Sequence, residues 1–322
     1  MSWWNDSPLV EATRGSLVET IHNGAFAVVD SNGVLVASAG DPEMVMFLRS
    51  SSKPLQTIPL VELGGVEKFG MTERELAVTC ASHVGTDDHV SVVSGLQKKI
   101  GVGEENLLCG IHPAPDKQTA DAMILRGEEP TPNRNNCSGK HTGMLGQVVL
   151  QQLGLEDYVN PQHPVQQRII RTFAEMCGVD PESVAIGIDG CSAPVFAVSL
   201  KAAAFGYARL CGPNQLTEAR ASACRKITKA MISNPDMVAG PGRFDTVLME
   251  VGKGKIISKG GAEGYQAIGL LEGARYPGST PLGITIKISD GDATGQARVI
   301  VALEILQKLG ALNPEQIDQL KT

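Results

Sequence analysis

Arg49-Ser50-Ser51-Ser52-Lys53-Pro54 sets a serine and a lysine three residues apart with a proline directly behind them. Residues at i and i+3 share one face of a helical turn, and proline suits the first helical position, where its missing N–H would have no partner anyway. The next nine residues, Leu55 to Leu63, carry apolar side chains at helical spacing, which predicts a helix beginning close to Pro54. Upstream, Ala25 to Asp30 and Val34 to Ser38 are apolar runs joined by Ser31-Asn32-Gly33. Asn-Gly between two such runs is the strongest short hairpin signal. Ser50 to Lys53 therefore falls where an N-terminal antiparallel sheet passes into a helix. A serine hydroxyl is a poor nucleophile at neutral pH, and a lysine acts as its base only if burial or a neighbouring cation keeps some of it neutral.

Beyond this point the chain reads as mostly helical, with apolar residues at helical spacing over 87–100, 143–153 and 164–177 between Gly and Pro breakers. Strand patterns return at 184–188, 254–259 and 283–288, and a last helix is expected from about Ala293 to Leu309. Residues 313–320 suggest a short capped helix. Strands at both ends around a helical middle predict an α+β fold in which N- and C-terminal segments complete one antiparallel sheet flanked by helices. No repeat, low-complexity tract or charged linker divides the chain, so residues 1–322 are expected to form one catalytic domain.

Ser-x-x-Lys recurs often by chance, and its bland reading is a capped helix start with a surface lysine. Two later segments add to it. Thr79-Cys80-Ala81-Ser82-His83-Val84-Gly85 closes an apolar stretch in small polar residues, and Ser258-Lys259-Gly260-Gly261 closes a strand in a lysine and glycines. Ser-x-x-Lys, a second serine and a lysine-glycine strand is the order of parts in serine β-lactamases and penicillin-binding proteins. The glycines would let a substrate lie along the strand edge. Lys253 and Lys255 stand as alternatives to Lys259 in this short motif. Two further segments are polar and glycine-rich around a cysteine: Asn136-Cys137-Ser138-Gly139-Lys140-His141 and Asp189-Gly190-Cys191-Ser192. Two thiolates and a nitrogen would suit zinc, with His141 the obvious nitrogen donor from residues alone. Against this, thiols in separate segments without Cys-x-x-Cys spacing are commonly just buried. His83 and His141 are candidates for substrate contact or proton transfer near neutral pH, or for structural hydrogen bonding.

With these segments together, the chain resembles the rhizobial-type asparaginase family, the inducible and thermolabile kind. The resemblance runs from Val10 to the region of Asp290-Gly291-Asp292. It rests on Arg49 to Pro54, Ala81-Ser82-His83, Asn136 to His141 and Asp189-Gly190-Cys191. It implies a serine β-lactamase-like fold and hydrolysis of L-asparagine to L-aspartate and ammonia. By matched motif it implies Ser50 as nucleophile with Lys53 as its base, Ser82 and Lys259 as a second serine–lysine pair, and zinc held by Cys137, Lys140 and Cys191. Arg49 and Asp189 are then expected to pair the α-carboxylate and α-ammonium of the substrate, respectively. A glutaminase or broader amidase is the nearest rival, since pocket length separates them. A non-catalytic ligand sensor is the rival from another class.

Composition narrows the partners. The 28 Lys and Arg are scattered among 35 Asp and Glu, for a formal charge of -7, which gives nucleic acid no basic surface to bind. No apolar run approaches the ~18 residues of a membrane span, and the N-terminus has no signal-peptide pattern. A cytoplasmic location is expected. Seven cysteines, an odd number, argue against a disulfide framework and for reduced thiols. A homodimer is expected from base rate and from the resemblance.

Overall fold

The structure is a computed structural model that describes residues 5–320. Its main sheet is antiparallel and six-stranded, built from β1 (Ser7–Arg14), β2 (Leu17–Asp30), β3 (Leu35–Ala39), β7 (Ile256–Gly260), β8 (Tyr265–Leu270) and β9 (Leu282–Ile288). The order is β1-β2-β9-β8-β7, with β3 paired to β2 at one end. A smaller sheet joins β4 (Val45–Phe47), β5 (Ala185–Ile188) and β6 (Pro194–Ser199) in the order β4-β6-β5. The α+β class is thus as expected, and the sheet is closed by both chain ends. β2 turns into β3 at Ser31-Asn32-Gly33, where Gly33 takes φ +85°, a value that the Asn-Gly signal anticipates.

Every residue of β9 is buried, because helices cover both faces of the sheet there. One of them, Leu200–Cys211, approaches so closely that a Cβ on Gly283 would lie 1.8 Å from the Ala204 carbonyl oxygen. The other is the C-terminal helix Gln296–Lys308. Between β4 and β5 the chain is mainly helical. Helices Asp87–Ile100 and Pro164–Cys177 have the bounds that their apolar periodicity predicts. Lys53–Glu62 runs through the larger core, with all its residues but the last buried.

One helix departs from expectation. The stretch read as starting at Gly143 begins at Ser138 and ends at Leu150. Lys140 and His141 therefore sit in a first helical turn, and Cys137 is its N-cap, rather than all three lying in a glycine-rich loop. The glycine that suggested a loop serves packing instead: a Cβ on Gly139 would lie 2.1 Å from the Val78 carbonyl oxygen of helix Glu73–Thr79. The tail helix spans Pro314–Leu320. Among the described residues, no helix is long and apolar enough to cross a membrane, and all seven cysteines are free and buried.

Candidate active site

Ser50 lies in a 3₁₀ turn, Arg49–Ser52, that leads straight into helix Lys53–Glu62. Arg49 enters this turn with φ +52°, a left-handed conformation that costs a non-glycine residue about 1–2 kcal/mol. The surroundings over-determine it. Leu48 N–H donates to the Phe196 carbonyl of β6, Ser52 Oγ to the Arg49 carbonyl at 2.8 Å, and Ser51 Oγ to the Lys259 carbonyl of β7 at 2.7 Å. Tyr207 Oη donates to the Ser51 carbonyl at 2.7 Å. The turn is thus pinned to both sheets and to helix Leu200–Cys211, and strain held in this way is characteristic of functional sites. Ser50 is half-buried and lies at the junction of two cavities.

The first cavity, of about 250 Å³, brings Ser50 together with Ser82, Lys259, Asp245, Arg243 and Arg298. Lys259 is 1% exposed, on the edge strand of the main sheet, and donates to the Gly260 carbonyl at 2.8 Å. Burial, opposed by the Asp245 carboxylate and assisted by the nearby Lys53 charge, pushes its amine down to about 7. Lys253 and Lys255 are exposed, and Lys255 Nζ donates to the Glu272 carbonyl, so Lys259 is the lysine of this motif that faces the cavity. Asp245, on helix Phe244–Val251, is a site residue that sequence reading missed. It accepts hydrogen bonds from Ser258 Oγ (2.7 Å), Gly260 N–H (2.7 Å) and Gln266 Nε2 (2.9 Å). Burial alone would raise its carboxyl, yet the charge of Lys259 and these three donors outweigh burial and hold it below the usual carboxylate range.

Lys53, expected as the base for Ser50, makes its side-chain hydrogen bonds to three other groups. Buried at 1% exposure, its Nζ donates to the Ala81 carbonyl at 2.6 Å, to Ser82 Oγ at 2.8 Å and to Cys137 Sγ at 3.2 Å. Three acceptors take up the three hydrogens of an ammonium. Lys53 therefore ties Ser82, which lines the first cavity, to Cys137, which lines the second.

The second cavity, of about 280 Å³, shares Ser50, Asn136 and Ala262 with the first and is lined further by Arg49, Asp189, Cys137 and Cys191. Arg49 donates to Asp189 Oδ1 through Nη2 at 2.7 Å and Nε at 3.1 Å, and Gly190 N–H donates to the same oxygen at 2.9 Å. Burial works against the Asp189 carboxylate, but Arg49 and Gly190 hold it ionised and below its usual range. The two cysteines meet across this floor. The hydrogen bond from Cys191 and the charges of Lys53 and Lys140 keep Cys137 as the thiolate of the pair, while Cys191 retains its proton. Lys140 Nζ donates to Cys191 Sγ at 3.0 Å, and the sulfurs outweigh burial to hold it protonated.

These donors fit a small soft dication: two sulfurs and one amine converge in a buried place, and the amine has no carboxylate partner there. Among the described residues, no group of three or more His, Cys, Asp and Glu is arranged to hold a metal, and the donors gathered here are the two sulfurs and the Lys140 amine. An amine must lose its proton to bind a metal, so a cation held here would have to displace the Lys140 proton.

His83 is engaged at both ring nitrogens within the protein, and His141 at one. His83 accepts from Gly85 N–H at Nδ1 (3.1 Å), which places the proton on Nε2, 2.8 Å from Ser138 Oγ. Burial holds it well below its ordinary value, hence neutral. His141 Nδ1 lies 2.7 Å from Tyr158 Oη, which itself accepts from Leu108 N–H, while its Nε2 is buried without a partner. His83 still lines the first cavity; His141 lines neither. Arg243, Gln266 and Arg298 join the site only through the fold, from segments with no motif to mark them.

The family profile described as L-asparaginase II matches residues 10–322. No curated protein matches the chain in sequence. Among solved structures it is similar to the Bacillus subtilis glutaminase YbgJ in covalent complex with 5-oxo-L-norleucine, at 11% identity and TM-score 0.42 over 92% of this chain and 91% of that one. It is similar also to a Bacillus glutaminase crystallised in NaCl, at 11% identity and TM-score 0.42 over 88% and 90% of the two chains.

Proposed function

The chain belongs to the L-asparaginase II family, which makes it an amidohydrolase of the asparaginase/glutaminase type, and from that premise we propose that it hydrolyses L-asparagine through an acyl-enzyme on Ser50. The observation that carries this reading is the convergence of Ser50, Ser82 and a dehydrated Lys259 on one amino-acid-sized cavity, with Lys53 locked behind Ser82. At about 250 Å³ the cavity lies below the roughly 300–1,000 Å³ of drug-sized sites.

In the proposed mechanism Ser50 Oγ attacks the side-chain amide carbon while its proton passes to the neutral Lys259 amine. The C–N bond then breaks as the nitrogen takes that proton back, directly or across Ser82, and ammonia leaves. Water attacks the resulting ester, its proton returning through Lys259 to Ser50 Oγ, and L-aspartate is released. Lys53 serves as a fixed cation that holds the Ser82 hydroxyl in line. The backbone N–H of Ser50 itself, in the turn that leads into the helix, is the candidate oxyanion donor, and one such donor is worth ~10²–10³ in rate.

Cys137, Cys191 and Lys140 would hold a zinc ion. When bound it supplies a dication that neutralises the thiolates and fixes the segments carrying Asn136 and Asp189. Metal analysis tests this apart from activity: the wild type should carry bound zinc, and Cys191→Ala should lose it while remaining folded. A homodimer in the cytoplasm also belongs to this reading, with the mass measured by light scattering as its check.

The function itself is tested by ammonia release from L-asparagine and L-glutamine. A higher kcat/KM for asparagine supports the proposal. A preference for glutamine replaces it with the glutaminase reading, and folded, metal-replete protein that releases ammonia from neither favours the ligand sensor.

A further inference from the structure

The two cavities that meet at Ser50 are charged in different ways. In the second, Arg49 is already compensated: its guanidinium makes two hydrogen bonds to Asp189. A carboxylate that recruited Arg49 would have to leave the Asp189 charge half-buried and without its partner, which is costly. Only Oδ1 of Asp189 is engaged by Arg49 and Gly190, so Oδ2 stays available to an ammonium group.

The first cavity holds the opposite balance. Arg243 and Arg298 both line it and, although they share an adjoining cavity with Glu263, Asp290 and Asp292, among the described residues neither guanidinium makes an ion pair with a carboxylate. Asp245, the one carboxylate lining it, is taken up by Ser258, Gly260 and Gln266. Arg298, in the first turn of helix Gln296–Lys308, is fixed by an Nη1 hydrogen bond to the Gly261 carbonyl at 2.6 Å. Its Nε is buried with no hydrogen-bond partner. A buried charged donor left unmade is expensive, and a guanidinium that offers Nε beside its outer nitrogens has the fork geometry that grips a carboxylate through two parallel bonds.

We propose that Arg298, with Arg243 beside it, is the clamp for the α-carboxylate of the amino-acid substrate, and that Arg49 acts as a positioning residue that holds Asp189 ready for the α-ammonium. The assignment rests on the reading of the chain as an amino-acid amide hydrolase, and it reverses the role expected for Arg49 from sequence. The ligand class follows from the charges: a zwitterionic α-amino acid, carboxylate toward the first cavity and ammonium toward the second. The arrangement also couples binding to chemistry. Arg298 is one of the cations that disfavour a charged Lys259, so a carboxylate placed on Arg298 offsets that effect and lets Lys259 accept the Ser50 proton more readily.

The test is calorimetric titration of the full chain with L-aspartate and with β-alanine, which is aspartate without its α-carboxylate, alongside ammonia release from L-asparagine and from β-alaninamide. The wild type should prefer the α-carboxylate compounds in both assays. Arg298→Gln should erase that preference, lowering it by ~30-fold or more in the binding assay. Arg243→Gln, an exposed position outside the core, should erode it without risk to the fold, and Arg298→Lys should restore it in part. Arg49→Gln should weaken all four compounds together through Asp189. Unchanged discrimination in Arg298→Gln and Arg243→Gln, with its loss in Arg49→Gln, overturns the proposal. Wild type that discriminates aspartate from β-alanine yet releases no ammonia removes the hydrolase reading and leaves the clamp standing; wild type that does neither removes both.

Discussion

Lys53 and Lys259 are both 1% exposed, the first bonded to Ser82 and the second lining the same cavity as Ser82, yet their surroundings differ in kind. Lys53 has three acceptors within 3.2 Å, one for each of its hydrogens. Lys259 has one carbonyl for company, a buried carboxylate nearby and a cavity in front of it. A buried lysine that is fully hydrogen-bonded is a structural cation, and one that is not is a base in waiting. The same contrast separates the two cavities at large: charges on the Arg49–Asp189 side are paired in advance, and those on the Arg298 side await a ligand.

The sharpest way to break the comparison is to exchange the fates of the two lysines. Lys259→Met should lower kcat by roughly 10²–10⁴, the range for a lost general base, with the melting temperature barely changed or raised. Lys53→Met should act mainly on stability, by about 3 kcal/mol or more, because it strands Ser82, the Ala81 carbonyl and the Cys137 thiolate in a buried place; denaturant unfolding measures it. If Lys53→Met stays fully stable while kcat collapses, Lys53 is the base and Lys259 the structural cation.

A smaller effect sharpens the same contrast through pH. A base must be neutral to act, so kcat/KM should rise with pH through about 7, the value to which burial drives Lys259. Asp245 works against that burial, so Asp245→Asn should shift this limb to lower pH. A pH–rate profile of the two proteins reads the sign directly, and a shift upward contradicts the assignment. Smallest of all, Lys255→Ala should leave turnover unchanged and stability within about 0.5 kcal/mol, since its side chain is exposed and bonded only to a surface carbonyl.

What could be read in the sequence was local. Asn32-Gly33, Pro54 and the apolar periodicity over 87–100 and 164–177 each encode their geometry within a few residues, and each is found in place. The early start of helix Ser138–Leu150 was hidden because Gly139 looks like a loop residue until Val78 is set against it. The long N-terminal reach of β2 was hidden too, since its first residues pair with β1 and show largely exposed side chains without strict alternation. The motif serines, lysines and cysteines could be picked out because their spacing is unusual. Their partners could not. Arg49 finds Asp189 across 140 positions, and Arg298 closes on Gly261 from the far end of the chain. A lone aspartate such as Asp245 has no signature until β7 and β8 are folded around it.

Everything in the proposed chemistry turns on Ser50, presented by a strained turn, forming the bond to the substrate. Ammonia release from L-asparagine by wild type and by Ser50→Ala, both confirmed folded by thermal melts, tests it most directly. Turnover should fall to background when the one hydroxyl is removed. A folded Ser50→Ala protein that keeps the wild-type rate would contradict it.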